Sequence, residues 1–170
     1  MNKGVQTVFL TELERQATFA LVAATDLEQA LAQVSTDRIW YSVQALLVAT
    51  GNLSKLLWPS QERIPGRGQA LRAVLGIEDS SPLAPRTFRN HFEHFDERLE
   101  AWAQSSTRHN FVDSNVGPPG MIQGLDRGDY LRNYDTQNQA VTFRGDTYQL
   151  APVIAAIQKL HATAVAALDS

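Results

Sequence analysis

A chain of 170 residues with 44% hydrophobic and 19% charged residues is long enough to bury a core without covalent staples, and it reads as one soluble domain over residues 1–170. It has no cysteine, which excludes a disulfide framework, a thiolate metal site and a cysteine nucleophile. A formal net charge of -3 argues against general affinity for nucleic acid, so any RNA contact has to be local.

The start, Met1-Asn2-Lys3-Gly4-Val5-Gln6, lacks a basic segment followed by an apolar run. The longest uncharged stretch, 39–54, is interrupted by Gln44, Thr50, Asn52 and Ser54. The expectation is a cytoplasmic protein with no membrane partner. Over residues 8–34 the set Leu10, Leu13, Ala17, Ala20, Ala24, Leu27, Leu31, Val34 advances by threes and fours, the stripe of a long bundle helix. Ser35, Thr36 and Asp37 are N-cap candidates for a second helix striped by Ile39, Val43, Leu46, Leu53 and Leu57 and stopped by Pro59. So short a link makes the two antiparallel. Gly51-Asn52 marks a kink or a close crossing inside the second helix. After a Pro- and Gly-containing loop, 69–75 reads as a short helix ended by Gly76.

Pro85 then opens a helix in which Phe88, Phe92, Phe95, Leu99 and Trp102 keep helical spacing and face the core. Residues 104–128 are irregular, with Gly117-Pro118-Pro119-Gly120, Gly124 and Gly128. Segments 130–134 and 140–143 flank Asp135 to Gln139 as a small β-hairpin, and two strands alone are marginal, so the hairpin has to pack on a helix. Arg144-Gly145-Asp146 reads as a plain turn. A last helix over 151–168 carries Val153, Ile154, Ile157, Leu160, Ala164 and Leu168 on one side. These elements predict an all-α fold, a four- or five-helix up-down bundle, with the loop and hairpin inserted at about 104–146. Trp40, Trp58 and Trp102 read as core residues rather than base-stacking platforms.

The chemistry concentrates in Arg89-Asn90-His91-Phe92-Glu93-His94, an R-N-x-x-x-H pattern expected by chance about 0.01 times in a chain of this composition. At about 100° per residue, Arg89 and His94 border the face opposite the aromatic stripe, whose middle is Asn90 and Glu97. His91 lies nearer the stripe, beside Arg98, and reads as a boundary histidine. The bland reading of Arg89 is a solvated ion-pair row with Glu93 and Asp96.

At this motif the chain resembles the HEPN superfamily, helical-bundle domains of which many are endoribonucleases or toxins marked by R-N-x-x-x-H on a late helix. Arg89, Asn90 and His94 match that pattern residue by residue, Phe95 follows as an aromatic, and two long helices precede it. The resemblance implies metal-independent RNA cleavage by a homodimer without cofactor, and a protein antitoxin or other protein as a further partner. It makes His94 the general acid/base toward the ribose 2′-OH or the leaving oxygen, and Arg89 the stabiliser of charge on the phosphorane. Asn90 then orients the phosphate or the partner's histidine. Arg86 and Arg72, in the stretch before the motif, are further candidates for substrate binding. Glu93, Asp96, Glu97 and Glu100 work against this by surrounding the motif with negative charge.

The alternative reading is a non-catalytic helical interaction module that uses the motif face as a subunit interface. A metal site at His91, His94 and Glu97 lacks the H-E-x-x-H pattern. The residues three before each histidine are Phe88, His91, Ser106 and Gln158, which excludes the di-iron Glu-x-x-His arrangement. Gly66-Arg67-Gly68 follows no strand and is not a phosphate loop.

Overall fold

The computed structural model describes residues 1–85, 87–105, 109–118 and 120–169, the side chains of 87–89 excepted. Its elements in order are α1 (Lys3–Ala32), α2 (Thr36–Leu57), α3 (Arg67–Leu75), α4 (Thr87–Glu93), α5 (Phe95–Ser105), β1 (Asn115–Val116), β2 (Arg132–Asp135), β3 (Ala140–Phe143), β4 (Asp146–Gln149) and α6 (Leu150–Leu168). By contacts the chain divides into two compact units, 1–86 together with 152–170, and 87–151.

The first unit is helical. Asn2 caps α1, its side chain accepting a hydrogen bond from the Val5 N–H at 2.9 Å, so the helix starts several residues before its apolar stripe does. Leu10, Leu13, Ala17, Ala20, Ala24 and Leu27 are buried as their spacing predicts. The stripe ends sooner than expected: Val34 sits in the turn to α2, largely exposed, with a left-handed φ of 52°. In α2 the predicted Ile39, Val43, Leu46, Leu53 and Leu57 are all buried, each such side chain contributing about 1.5–3 kcal/mol of transfer free energy. Gly51 is buried in an unbroken helix, and Asn52 donates to the Gln16 side chain at 3.1 Å, a polar tie between α1 and α2.

Two further ties complete this unit. His161 on α6 lies 3.1 Å from the Thr18 hydroxyl and 3.3 Å from the Glu14 carboxylate, both on α1. The Glu62 carboxylate accepts from the N–H groups of Gly66 and Gly68, each at 2.8 Å, which satisfies the otherwise orphaned start of α3. The Gly68 N–H chiefly, offset in part by desolvation, holds the Glu62 carboxyl below its ordinary range. Gly76 closes α3 in the left-handed region at φ 60°, as its position predicts. On α6, Val153, Ile157, Leu160 and Ala164 are the buried stripe. By length and composition α6 could cross a membrane, and the same features suit a core helix.

The second unit corrects the predicted fold class. Among the described residues the protein is 61% helical, with six α-helices and a four-stranded mixed sheet, and so is mixed α/β rather than an all-α bundle. The predicted hairpin is present as β2 and β3, paired Asp135↔Ala140 through Arg132↔Phe143. It does not stand as two strands. β1 joins it in parallel through Asn115↔Asn133 and Val116↔Tyr134, and β4 joins in antiparallel through Phe143↔Asp146. Both added strands are too short or too helix-flanked to show periodicity: β1 is two residues, and β4 runs straight into α6.

Local chemistry explains the turns. Arg144 and Gly145 both have positive φ, 50° and 88°, the two-residue turn whose twist suits a hairpin, so Arg144-Gly145-Asp146 is a turn as read from sequence. Asp135 organises the β2–β3 loop, accepting from the Asn138 side chain at 2.8 Å and from the N–H groups of Gln137 and Asn138. The Asn138 amide, with those N–H groups and against desolvation, holds the Asp135 carboxyl below its ordinary value.

Because Glu62 and Asp135 titrate lower when folded than their ordinary 4.5 and 3.8, their contribution is complete above those values and is lost as pH falls through the folded ones. Thermal stability should therefore decline modestly as pH falls from about 5 toward 3. Asp135→Asn should melt lower at pH 6 and show a shallower acid limb than the parent.

Candidate functional site: the motif helix and its support

The motif lies on α4 and its junction with α5. The predicted single helix is broken at His94, although backbone bonds continue through it: the His94 N–H donates to the Asn90 carbonyl and the Arg98 N–H to the His94 carbonyl, both at 3.1 Å. Trp102 is buried and Phe95 and Arg98 are partly so, whereas the expected core residue Leu99 is 40% exposed.

Phe143 on β3, fully buried, is the surface on which this helix rests. His91 stacks on it with ring centroids 4.8 Å apart and planes 8° apart. Phe92 and Phe95 meet the same ring edge-on, at 5.5 and 6.2 Å. His91 is thus the core-edge histidine expected from its angle, and it also reaches β4, its Nε2 donating to Asp146 Oδ2 at 2.8 Å. Phe95 is covered from its other side by the Arg132 guanidinium, 5.1 Å from the ring centroid. Arg132 forks onto Asp113, with Nε 2.8 Å from Oδ1, and also reaches the Ser114 hydroxyl. Burial raises the Asp113 carboxyl, but the Arg132 bonds and charge outweigh it and leave a net lowering.

The predicted site residues then fall as follows. His94 is 52% exposed, and its Nδ1 lies 3.4 Å from Glu97 Oε1. Asn90 is half-buried one turn earlier on the same helix. The side chain of Arg89 and the whole of Arg86 lie outside the described residues. Arg72 is engaged within the helical unit, donating to the Leu57 carbonyl, pairing with Asp79 at 3.1 Å and lying over the Trp58 ring at 5.3 Å. Trp40 and Trp102 are core residues as read; Trp58 is only partly buried and donates to Asp79 at 3.3 Å. Glu93, Asp96, Glu97 and Glu100 are all exposed, so the acidic surround is real.

Sequence reasoning missed three supporting residues. Asp146 was absorbed into a turn, and the Asp113–Arg132 pair bridges 19 residues with no local signal. Among the described residues no cluster of three or more histidines, cysteines or carboxylates is placed to hold a metal ion. Compared with known proteins, the chain matches no family model, no curated protein and no solved structure.

What the arrangement offers chemically is an open imidazole at a helix break with a carboxylate beside one ring nitrogen, which supplies a counter-charge when the ring accepts a proton. His91 and His94, three residues apart, should respond oppositely to truncation. His91→Ala removes a stacked, bonded ring and should cost about 2–3 kcal/mol, whereas His94→Ala should stay within about 0.5 kcal/mol of the parent. Urea unfolding midpoints of the two variants check this ordering.

Proposed function

We propose that this protein is an endoribonuclease whose proton-transfer group is His94, working with Asn90 and Arg89. The observation that carries the reading is the solvent-open His94 imidazole, held beside Glu97 and one turn from Asn90 on a helix braced by Phe143. The R-N-x-x-x-H resemblance supplies the reaction class. In that reaction the other ring nitrogen of His94, Nε2, takes the proton of a ribose 2′-OH as O2′ bonds to phosphorus. The P–O5′ bond breaks, the 5′-oxygen takes a proton from water as it leaves, and His94 returns its proton to solvent, giving a 2′,3′-cyclic phosphate. Asn90 orients the phosphate, and Arg89 stabilises the added negative charge in the transition state. Electrostatics set the substrate: exposed Glu93, Asp96, Glu97 and Glu100 repel a long polyanion, so the fit is to a few unpaired nucleotides.

The purified chain should cleave labelled single-stranded RNA in EDTA and leave a cyclic phosphate end. His94→Ala and Arg89→Ala should each lose roughly 10²–10⁴-fold. Equal inactivity of the parent and both variants over a varied RNA panel would overturn the proposal, as would cleavage undiminished in both variants.

The second reading, an interaction module, is favoured by an observation away from the motif: Phe19, Tyr41 and Val48 on α1 and α2 are large apolar residues left exposed around one concavity.

A further inference from the structure

We propose that Arg98 is a phosphate-binding residue that holds an RNA phosphate at His94. The proposal rests on the ribonuclease reading of His94 and adds to it a cation that lies outside the R-N-x-x-x-H motif.

Helix geometry sets the arrangement. Asn90, His94 and Arg98 are four residues apart in turn. Two successive backbone bonds, from the His94 N–H to the Asn90 carbonyl and from the Arg98 N–H to the His94 carbonyl, both 3.1 Å, keep them in helical register across the junction of α4 and α5. Each step of four residues turns the direction by only about 40° and rises about 6 Å, so an amide, an imidazole and a guanidinium form one ridge. A long helical side chain leans toward the residue four before it, which for Arg98 is His94. Glu97 lies about 60° round the helix on the other side of His94, with its Oε1 3.4 Å from Nδ1. Carboxylate and guanidinium therefore flank the imidazole from opposite sides.

Arg98 is partly buried, and yet its side chain bonds to nothing. The guanidinium takes part in no hydrogen bond, ion pair or ring contact among the described residues, and its Nε is sealed from solvent without an acceptor. A buried donor left in that state costs stability, and it calls for a reason. The spacing explains why the surrounding carboxylates do not serve. Asp96, Glu97 and Glu100 stand two before, one before and two after Arg98, and residues one or two apart on a helix do not face each other. The positions that do face it hold His94, Phe95, Ala101 and Trp102, none of them acidic. Other arginines of this unit are engaged: Arg132 forks onto Asp113, and Arg144 donates to the Ser105 hydroxyl at 3.0 Å.

An anion from outside is the acceptor that the Arg98 guanidinium lacks, and its fork of N–H donors fits phosphate oxygens. A phosphate seated at the imidazole lies between the Asn90 amide and the Arg98 guanidinium. Inorganic phosphate and an RNA phosphodiester present the same oxygens. The diester alone also brings the 2′-OH that the His94 imidazole is placed to meet, and it is the ligand the ridge fits.

The probes are a 2′-O-methyl trinucleotide without terminal phosphates, which cannot be cleaved by 2′-OH attack, and inorganic phosphate alone. Arg98→Met keeps the apolar stem and removes the charge, and Arg98→Lys keeps the charge and loses the fork. In NMR titrations the trinucleotide dissociation constant should rise about tenfold in Arg98→Met and by less in Arg98→Lys. The slope of log affinity against log salt should become shallower by about 0.7 in Arg98→Met, as one phosphate contact to a single strand is lost. Its melting temperature should not fall below the parent's, because the guanidinium bonds to no described protein group. A methionine variant that binds the trinucleotide as tightly as the parent with the same salt slope, or that melts several degrees lower, overturns the proposal. So does a parent that binds no trinucleotide at millimolar concentration, or one that binds inorganic phosphate through Arg98 but not the trinucleotide. None of these readouts needs turnover. Arg98-dependent trinucleotide binding by a parent that cleaves no RNA would sink the ribonuclease reading and leave the phosphate contact standing, and cleavage with unchanged affinity in Arg98→Met would do the reverse.

Discussion

One buried ring organises everything around the motif. Phe143 is the point where β3 meets α4 and α5, and its three aromatic neighbours, His91, Phe92 and Phe95, come from both sides of the helix break. With those positions turned inward, helical geometry leaves His94 and Glu97 pointing to solvent. The sheet is therefore part of the site's support. Asp146 steadies the inward histidine, and Arg132, fixed by Asp113, closes over Phe95. None of these groups need touch a substrate to decide where His94 stands.

That support has a cost in electrostatics. The residues that the helix turns outward beside His94 are mostly carboxylates, and described arginines earlier in the chain are engaged within the helical unit. Arg72 is bound to Leu57, Asp79 and Trp58, and Arg67 lies over the Phe9 ring at 4.8 Å. The proposed chemistry then depends on local contacts to one phosphate rather than on a positive surface, which restricts both the length and the affinity of any RNA ligand.

The helical unit was largely legible in the sequence because its signals are local. Stripes at threes and fours, Pro59 as a stop and Gly76 as a cap each act within a turn or two, and the buried residues of α1, α2 and α6 follow them. The sheet was legible only where a strand pair and its turn are contiguous. β1 pairs with residues 18 positions downstream, and its ties, Asn115 to Asn133 and the Gly117 N–H to the Tyr134 carbonyl, have no periodic trace. The break at His94 was also invisible, since backbone bonds run through it and nothing in Phe92-Glu93-His94-Phe95 stops a helix. At the site itself, the residue types were readable from the motif, and the angular argument correctly separated inward His91 from outward His94. The partners that hold His91, on strands 50 or more residues away, were not.

The central claim is that His94, and not the other histidines, is the group that meets RNA. The chain has four histidines, so their imidazole C–H resonances form a short and assignable set. Titration with a short single-stranded oligonucleotide carrying 2′-O-methyl groups, which cannot be cleaved by 2′-OH attack, should move the His94 resonance saturably. The His91 and His161 resonances should hold still. A His94 resonance that does not respond, while the oligonucleotide is bound or at millimolar excess, would contradict the account.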